Sequence, residues 1–392
     1  MVGVGILIPV IPQLFANPAS PYYLLSATTS LKTGYFLLGL LTASYPLALF
    51  FAAPILGQLS DRFGRKPVLA LSLFGTAIGY LLFAIGVGIG NIGLLFFARI
   101  FDGLTGGNIS VAQAAIADVT EPKDRAKNFG LIGAAFGLGF IMGPFLGGKL
   151  ADSNVVSWFS AQVPFYVAGV LALINSYLVI RFFKETHTKN QAVSIDLMQS
   201  LRRISAARKF KEVRVLFLVG FLMTAGFSFF TTFFNVFLVQ RFSFTEGKIG
   251  NLFAFIGICV AITQGFITRL VAKRYKDTSI LSWSYFATAI MLVAYTLPQN
   301  ARWFLLITPL FAVANGLTQA NAPALISRKT EPATRGEVMG INTGFMALAQ
   351  AIPPLIAGTI AAFFAPSTPI IVGALFTVAA GWVFLTQRKH LA

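Results

Sequence analysis

Long apolar runs alternate with short charged segments along the whole 392-residue chain. An α-helix needs about 20 apolar residues to cross a bilayer, and most of the runs reach that length. The runs lie near 1–16, 35–57, 67–88, 91–117, 129–150, 161–183, 213–239, 248–270, 279–298, 302–326, 339–364 and 368–386. The pattern therefore predicts an all-α membrane protein with twelve transmembrane helices.

Composition supports a membrane location. The chain is 56% hydrophobic and 11% charged, whereas roughly 25% of residues are charged in an average soluble domain. A net charge of +17 would suggest nucleic acid in a soluble protein. Here Lys and Arg concentrate after spans 2, 4, 6, 8 and 10 and in the C-terminal tail, which indicates the cytoplasmic side. We therefore expect a lipid bilayer and no nucleic acid as partner, with both termini on the cytoplasmic side of the cell membrane.

The sequence gives little support for an enzyme or for a channel. The single cysteine, Cys259, excludes an intramolecular disulfide and a cysteine-based metal cluster. His187 and His390 lie in a loop and in the tail, and no zinc-protease motif or nucleophile elbow is present. No re-entrant filter or ring of charges is visible either. We expect no enzyme activity, no metal and no organic cofactor.

The two halves of the chain resemble each other. Thr-Glu-Pro occurs at 120–122 and again at 330–332, an offset of 210 residues that also relates Pro144 to Pro354 and Gly148 to Gly358. A Thr-Glu-Pro sequence on its own suits a turn after a helix, but the further matches favour a duplication of one half of the chain. The predicted organisation is two six-helix bundles joined by a cytoplasmic linker, with boundaries at 1–183, 184–212 and 213–392.

The segment 57–66, G-Q-L-S-D-R-F-G-R-K, joins spans 2 and 3. Gly57 and Gly64 permit a tight turn between two helices. Asp61 is a lone acid among Arg62, Arg65 and Lys66. A loop that only fixes the orientation of the chain in the membrane would need the cations but neither the acid nor the glycines. We therefore expect a more specific role for this loop.

This segment resembles the signature loop between helices 2 and 3 of the major facilitator superfamily, G-x-L-x-D-R-x-G-R-K. The resemblance implies parallel six-helix halves that hold a substrate near the midplane. It also implies that Asp61 bonds to Arg125 and faces the start of helix 11 near 339–342, which closes the cytoplasmic side. The second-half counterpart, Gly265–Arg274, has Arg269 in place of the acid, so the predicted gate is asymmetric.

Arg99 and Asp102 lie inside the fourth span. Their spacing of three residues places them on one helical face, where they can pair. Charges within a span are costly and usually face a water-filled pathway. The run resembles the superfamily's helix 4 motif, in which the Arg is tied to proton transfer, so we expect Asp102 to carry protons beside Arg99. The alternative is a structural ion pair.

The fifth span is rich in glycine and ends G-x-x-x-G-P-x-x-G-G. This ending resembles the motif that separates antiporters from other transporters of the superfamily, while the alternative is ordinary close packing of small residues. The motif residues are Gly139, Gly143, Pro144, Gly147 and Gly148.

Aromatic and weakly polar residues predict the lining of the pathway. Such surfaces suit planar or amphipathic substrates, although most of the phenylalanines are expected to serve packing. The predicted pathway residues are Asn108, Gln113, Phe234, Asn235, Gln319 and Asn342.

The first span, G-V-G-I-L-I-P-V-I-P at 3–12, and the run 99–130 resemble tetracycline/proton antiporters and related drug exporters. The resemblance implies export of an amphipathic small molecule in exchange for protons by a monomeric transporter, with protons as the coupling ion. A proton-coupled exporter or flippase of a cellular lipid or metabolite is the alternative. Those antiporters carry an acid in helix 1 just upstream of the position of Gly3. Because the first span is only about 16 residues long, we expect the natural reading frame to begin upstream.

Overall fold

The computed structural model describes residues 2–26, 28–121, 125–187, 195–210, 213–331 and 335–391. Regular structure in these ranges is helical throughout, without a β-strand. The α-helices are α1 Val2–Phe15, α2 Leu31–Phe63, α3 Arg65–Gly88, α4 Ile92–Thr105, α5 Asn108–Val119, α6 Arg125–Leu150, α7 Val163–Phe182, α8 Gln199–Ala206, α9 Arg214–Phe242, α10 Glu246–Ile262, α11 Thr268–Arg274, α12 Asp277–Ala294, α13 Phe304–Arg328, α14 Arg335–Phe363 and α15 Thr368–Leu391.

Each predicted span coincides with one of these helices or with a consecutive pair. By length and composition, eight helical segments in the described part of the chain can cross a membrane, while Val2–Phe15 is apolar but shorter. The eight are Leu31–Phe63, Arg65–Gly88, Val163–Phe182, Arg214–Phe242, Glu246–Arg274, Ala301–Ile326, Val338–Phe363 and Thr368–Arg388. The all-α prediction is confirmed.

The fourth span is not one continuous helix, which the apolar pattern did not predict. α4 ends at Thr105 and α5 begins at Asn108, with Gly106 and Gly107 between them. A Cβ atom at Gly107 would lie 3.1 Å from the Cα of Ala53, so α2 approaches the break closely. Consecutive glycines favour such a break because they disfavour helix and leave room for a neighbouring backbone.

The eighth span also changes geometry along its length. α10 gives way to a π-helical turn at Thr263–Ile267 before α11 continues to Arg274. The hydroxyl of Thr263 donates to the carbonyl of Cys259 at 2.8 Å, and that of Thr268 donates to the carbonyl of Thr263 at 3.0 Å. Wide turns of this kind are rare and often mark functional sites.

The first compact unit comprises Met1–Ala27, Ser44–Ser200 and Thr245–Asn251. In it α1 packs on α6, and α3 packs on both α4 and α7. The start of the predicted linker belongs here, because the backbone N–H of Asp196 donates to Gln58 Oε1 at 2.5 Å and Ser200 Oγ donates to the carbonyl of Phe50 at 2.6 Å.

The second compact unit comprises Thr28–Ala43, Leu201–Phe244 and Leu252–Ala392. In it α9 packs on α14 and α15, and α12 packs on α13 and α15. Each unit thus includes a short segment from the opposite half of the sequence. The boundaries 1–183, 184–212 and 213–392 remain a prediction about the duplicated halves.

Glycine pairs bring those short segments into place within each unit. In the first unit a Cβ atom at Gly148 would lie 2.9 Å from the Cα of Gly250. In the second unit a Cβ atom at Gly39 would lie 3.0 Å from the Cα of Gly358. Backbones approach this closely only where side chains are absent.

Candidate functional site

The segment 57–66 turns at Gly64, which separates α2 from α3. Gly64 has φ +103° and ψ 155°, a backbone conformation that is essentially restricted to glycine. Gly57 lies within α2 instead, and a Cβ atom there would meet nothing within 4 Å. The turn therefore depends on Gly64 and not on both predicted glycines.

Glu185, from the loop after α7, caps the start of α3. Its carboxylate accepts hydrogen bonds from the backbone N–H groups of Arg65 at 2.8 Å and Lys66 at 3.1 Å, and from those of Thr186 and His187. Burial of the carboxyl group opposes ionisation, but these backbone hydrogen bonds outweigh it and lower the pKa of Glu185 below its ordinary value.

Arg65 is the buried centre of an ionic network. Its guanidinium lies 2.5 Å from Asp61 Oδ1 and 2.9 Å from Asp118 Oδ2, and it donates to Ser60 Oγ at 2.5 Å. Only 5% of Arg65 is exposed, so its charge is shielded from solvent and balanced by two carboxylates. The network joins the ends of α2, α3 and α5.

Two acids of this site, Asp118 and Glu185, were missed in the sequence analysis. Each is a single acid at the end of an apolar run, far from Arg65 along the chain, and only the fold brings it close. Arg62 lies over the ring of Phe63, with its Cζ 5.4 Å from the ring centroid. The side chain of Arg125 lies outside the described residues, so its contact with Asp61 stays a prediction.

Arg99 and Asp102 form the predicted pair within α4. Arg99 Nη1 lies 3.2 Å from Asp102 Oδ2, and both side chains are buried, 8% and 4% exposed. The Arg99 guanidinium also lies over the ring of Tyr45, 4.5 Å from its centroid. The guanidinium thus contacts a carboxylate and an aromatic face at the same time.

The surroundings of this pair are closely packed but not fully hydrogen-bonded. A Cβ atom at Gly79 would lie 2.8 Å from Asp102 Cβ, and one at Gly103 would lie 2.7 Å from Ala48 Cβ. Arg99 Nε is buried and has no hydrogen-bond partner among the described residues. Unpaired buried polar atoms are exceptional, and this N–H group is a donor that a water molecule can satisfy.

The glycines of α6 pack against α1 and α10. A Cβ atom at Gly143 would lie 2.7 Å from Gly5 Cα, and one at Gly147 would lie 2.9 Å from Ile6 Cα. A Cβ atom at Gly5 would lie 2.8 Å from Pro144 Cδ and 3.1 Å from the carbonyl oxygen of Gly139. The motif residues thus permit close helix contact, which is the packing role weighed above.

The predicted pathway residues differ in their surroundings. Asn108 and Gln113 on α5 are half-buried, and Gln319 on α13 is exposed. Phe234 is fully buried within an aromatic cluster, with ring centroids 4.6 Å from Phe230 and 4.9 Å from Tyr295. It therefore contributes to the core of the second unit.

Three buried amide oxygens distinguish the second unit. The Oδ1 atoms of Asn235, Asn315 and Asn342 are buried and have no hydrogen-bond partner within the described ranges. An unpaired buried amide costs about 1–3 kcal/mol, so each of the three is a polar position where a further hydrogen bond would be stabilising. Asn235 and Asn342 are among the predicted pathway residues and Asn315 is not, and their place in a pathway stays a prediction.

Comparison with known proteins identifies the family. The family model described as "Major Facilitator Superfamily" matches residues 1–330 and 216–392. The chain belongs to this superfamily. Its matches include the class C tetracycline resistance protein of Escherichia coli, 31% identical over 91% of this chain and 85% of that protein. Multidrug resistance protein 2 of Bacillus subtilis is 26% identical over 91% and 84%.

Solved structures share the fold. The human organic anion transporter MFSD10 (TETRAN) has a TM-score of 0.72 at 22% identity, covering 98% of this chain and 95% of that one. A bacterial homolog of the human lysosomal transporter Spinster has a TM-score of 0.73 at 13% identity, covering 99% and 94%. This major facilitator chain is a membrane transporter by family, as the loop 57–66 indicated.

Proposed function

We propose that this transporter exports an amphipathic small molecule, such as a tetracycline or another drug, in exchange for protons by alternating access. The observation that carries the proposal is the buried Arg99–Asp102 pair within α4. Membrane helices rarely contain ionisable residues unless they serve transport. The tetracycline resistance and multidrug resistance relatives support the substrate class.

The coupling that we propose uses the two contacts of Arg99, with Asp102 and with the ring of Tyr45. While Arg99 contacts Asp102, the carboxylate is balanced and needs no proton. If Arg99 moves away from Asp102 toward the substrate and keeps only its contact with Tyr45, an unpaired buried carboxylate is costly, and Asp102 takes up a proton instead. Return of Arg99 displaces that proton on the other side. We place both termini on the cytoplasmic side of the cell membrane and take the transporter to act as a monomer.

Everted membrane vesicles containing the whole chain test this proposal. A pH-sensitive dye inside the vesicles reports proton movement when tetracycline, or another member of a drug panel, is added outside. We expect Asp102→Asn to lower drug-induced proton movement by at least about tenfold, because an amide side chain, unlike a carboxyl group, does not take up or release a proton near neutral pH. Asp152→Asn, the same change in the loop after α6, serves as the matched control.

Two outcomes contradict the proposal. Equal drug-induced proton movement in Asp102→Asn and in the unchanged chain removes Asp102 as the carrier. Drug uptake by the vesicles that persists without any proton gradient removes proton exchange itself.

A further inference from the structure

Arginines stand at the second-half counterparts of Asp61 and Asp118. Gly265–Arg274 carries Arg269 where the first half has Asp61. The 210-residue offset of the repeat places Arg328 where the first half has Asp118. Both carboxylates that balance Arg65 in the first unit are therefore replaced by arginines in the second.

Cations near the end of the eighth span and near the end of α13 line two neighbouring cavities that share Lys273. The larger, of about 560 Å³, contains a single acid, Asp277, which is already paired with Arg328. Its other cations are Lys273, Arg274, Lys276 and Lys329. None of these four has an ion-pair partner in the part of the chain that the structure describes.

The smaller cavity, of about 480 Å³, is lined both by cations and by exposed apolar side chains. It is lined by Gly265, Phe266, Arg269, Leu270 and Lys273. Phe266 and Leu270 are 71% and 64% exposed and lie four residues apart. Arg269 and Lys273 are spaced the same way along that side of the helix, so an apolar strip ends in exposed cations.

We propose that this site, formed by the end of the eighth span and the loop after it, binds an anionic phospholipid. The headgroup phosphate lies among Arg269, Lys273, Arg274 and Lys276, and an acyl chain lies along Phe266 and Leu270. Basic pockets between membrane helices are known to suit anionic headgroups. The lipid supplies the negative charge that Asp61 and Asp118 supply in the first unit. The proposal rests on the membrane location of the chain and not on the proposed substrate.

The site is tested with Phe266→Trp in vesicles. Brominated phosphatidylglycerol or brominated phosphatidylcholine is titrated into an otherwise unbrominated phosphatidylcholine membrane, and quenching of the new tryptophan is measured. The parent chain, with its four tryptophans, provides the background. We expect several-fold stronger association of phosphatidylglycerol than of phosphatidylcholine.

Charge variants in the Phe266→Trp background identify the residues. Each cation near an anionic lipid contributes about fivefold to association, so Arg269→Gln with Lys273→Gln should abolish the preference for phosphatidylglycerol. Arg208→Gln with Lys209→Gln removes the same charge from exposed positions elsewhere in the second unit. This control should retain the preference.

Three results would overturn the proposal. The first is equal quenching by the two lipids in the unchanged site. The second is an equal loss of preference in the Arg208/Lys209 control, which would indicate general surface charge. The third is full displacement of phosphatidylglycerol by inorganic phosphate at constant ionic strength, which would indicate a site for free phosphate.

Discussion

At the scale of single residues, the start of α3 depends on a glycine and on an acid 121 residues further along the chain. The first turn of a helix leaves backbone N–H groups without partners, and a side chain at the N-cap position usually accepts from them. Gly64 has no side chain to do so, because the turn requires its positive φ. Glu185 therefore supplies the acceptor from outside the helix.

Substitution of the two glycines of the loop should have opposite effects. Gly64→Ala forces a Cβ atom into a disfavoured backbone conformation, 2.5 Å from Glu185 Oε2, and should destabilise the protein by roughly 1–3 kcal/mol. Gly57→Ala adds its Cβ atom to open space within a helix and should be neutral or stabilising by up to about 1 kcal/mol. Denaturation of both variants in detergent measures the difference. Equal destabilisation would contradict the assignment of the turn.

Protection of the first turn of α3 should depend on pH through Glu185. Because the pKa of Glu185 is lowered in the folded state, its contribution is present above the ordinary pKa and is lost as pH falls through the lowered value. The protection factors of the amide hydrogens of residues 65 and 66, corrected for the intrinsic dependence of exchange on pH, should therefore fall at acidic pH. Glu185→Gln should remove this pH step, whereas Lys184→Gln should keep it. A step of equal size in Glu185→Gln would assign it to another group.

At the scale of elements, the helices could be predicted from the sequence because apolar runs must satisfy their backbone internally in lipid. The Arg99–Asp102 pair could be predicted because both partners lie on one helix. The break at 106–107 and the π turn at 263–267 were not predicted, because hydropathy does not distinguish a continuous apolar helix from one that is interrupted or locally widened. The acids around Arg65 were missed for a different reason: the contact with Asp118 or Glu185 exists only after α3, α5 and α7 have assembled.

The packing of α1 on α6 should tolerate no side chain at the contact. Gly143→Ala places a Cβ atom 2.6 Å from the carbonyl oxygen of Val2, where a backbone must move, and should cost about 1–3 kcal/mol. Gly137→Ala, on the same helix, meets nothing within 4 Å and is the control. Thermal unfolding of the two variants gives the comparison. A Gly143→Ala variant as stable as the control would contradict this prediction, because it would show that α1 can move away from α6 without loss of stability.

At the scale of the whole molecule, the repeated glycines Gly148 and Gly358 perform the same task. Each contacts a glycine near the start of a helix from the opposite half of the sequence, Gly250 in the first case and Gly39 in the second. This shared contact gives a physical reason for the offset of 210 residues in that region. Neither half of the sequence contains all the residues of one compact unit.

The two halves should therefore assemble from separate chains. Fragments 1–190 and 191–392, expressed together, should copurify because each completes a unit of the other. Gly39→Ile with Gly148→Ile should prevent copurification, since a branched side chain cannot fit at either glycine contact. Gly137→Ile with Gly265→Ile is the control, as both positions are open. Copurification of the first variant at the control level would contradict the role of these contacts.

The same two glycine contacts bear on how such a chain arose. A half-length ancestor carrying one copy of this glycine would have left it uncovered, unless a second identical chain supplied the matching helix. Two-fold dimers form through such reciprocal contacts, in which each subunit offers the same surface to the other. Fusion of two gene copies would then have joined, in a single chain, two subunits that already depended on each other. The two copies now differ in charge, with acids around Arg65 and cations around Lys273.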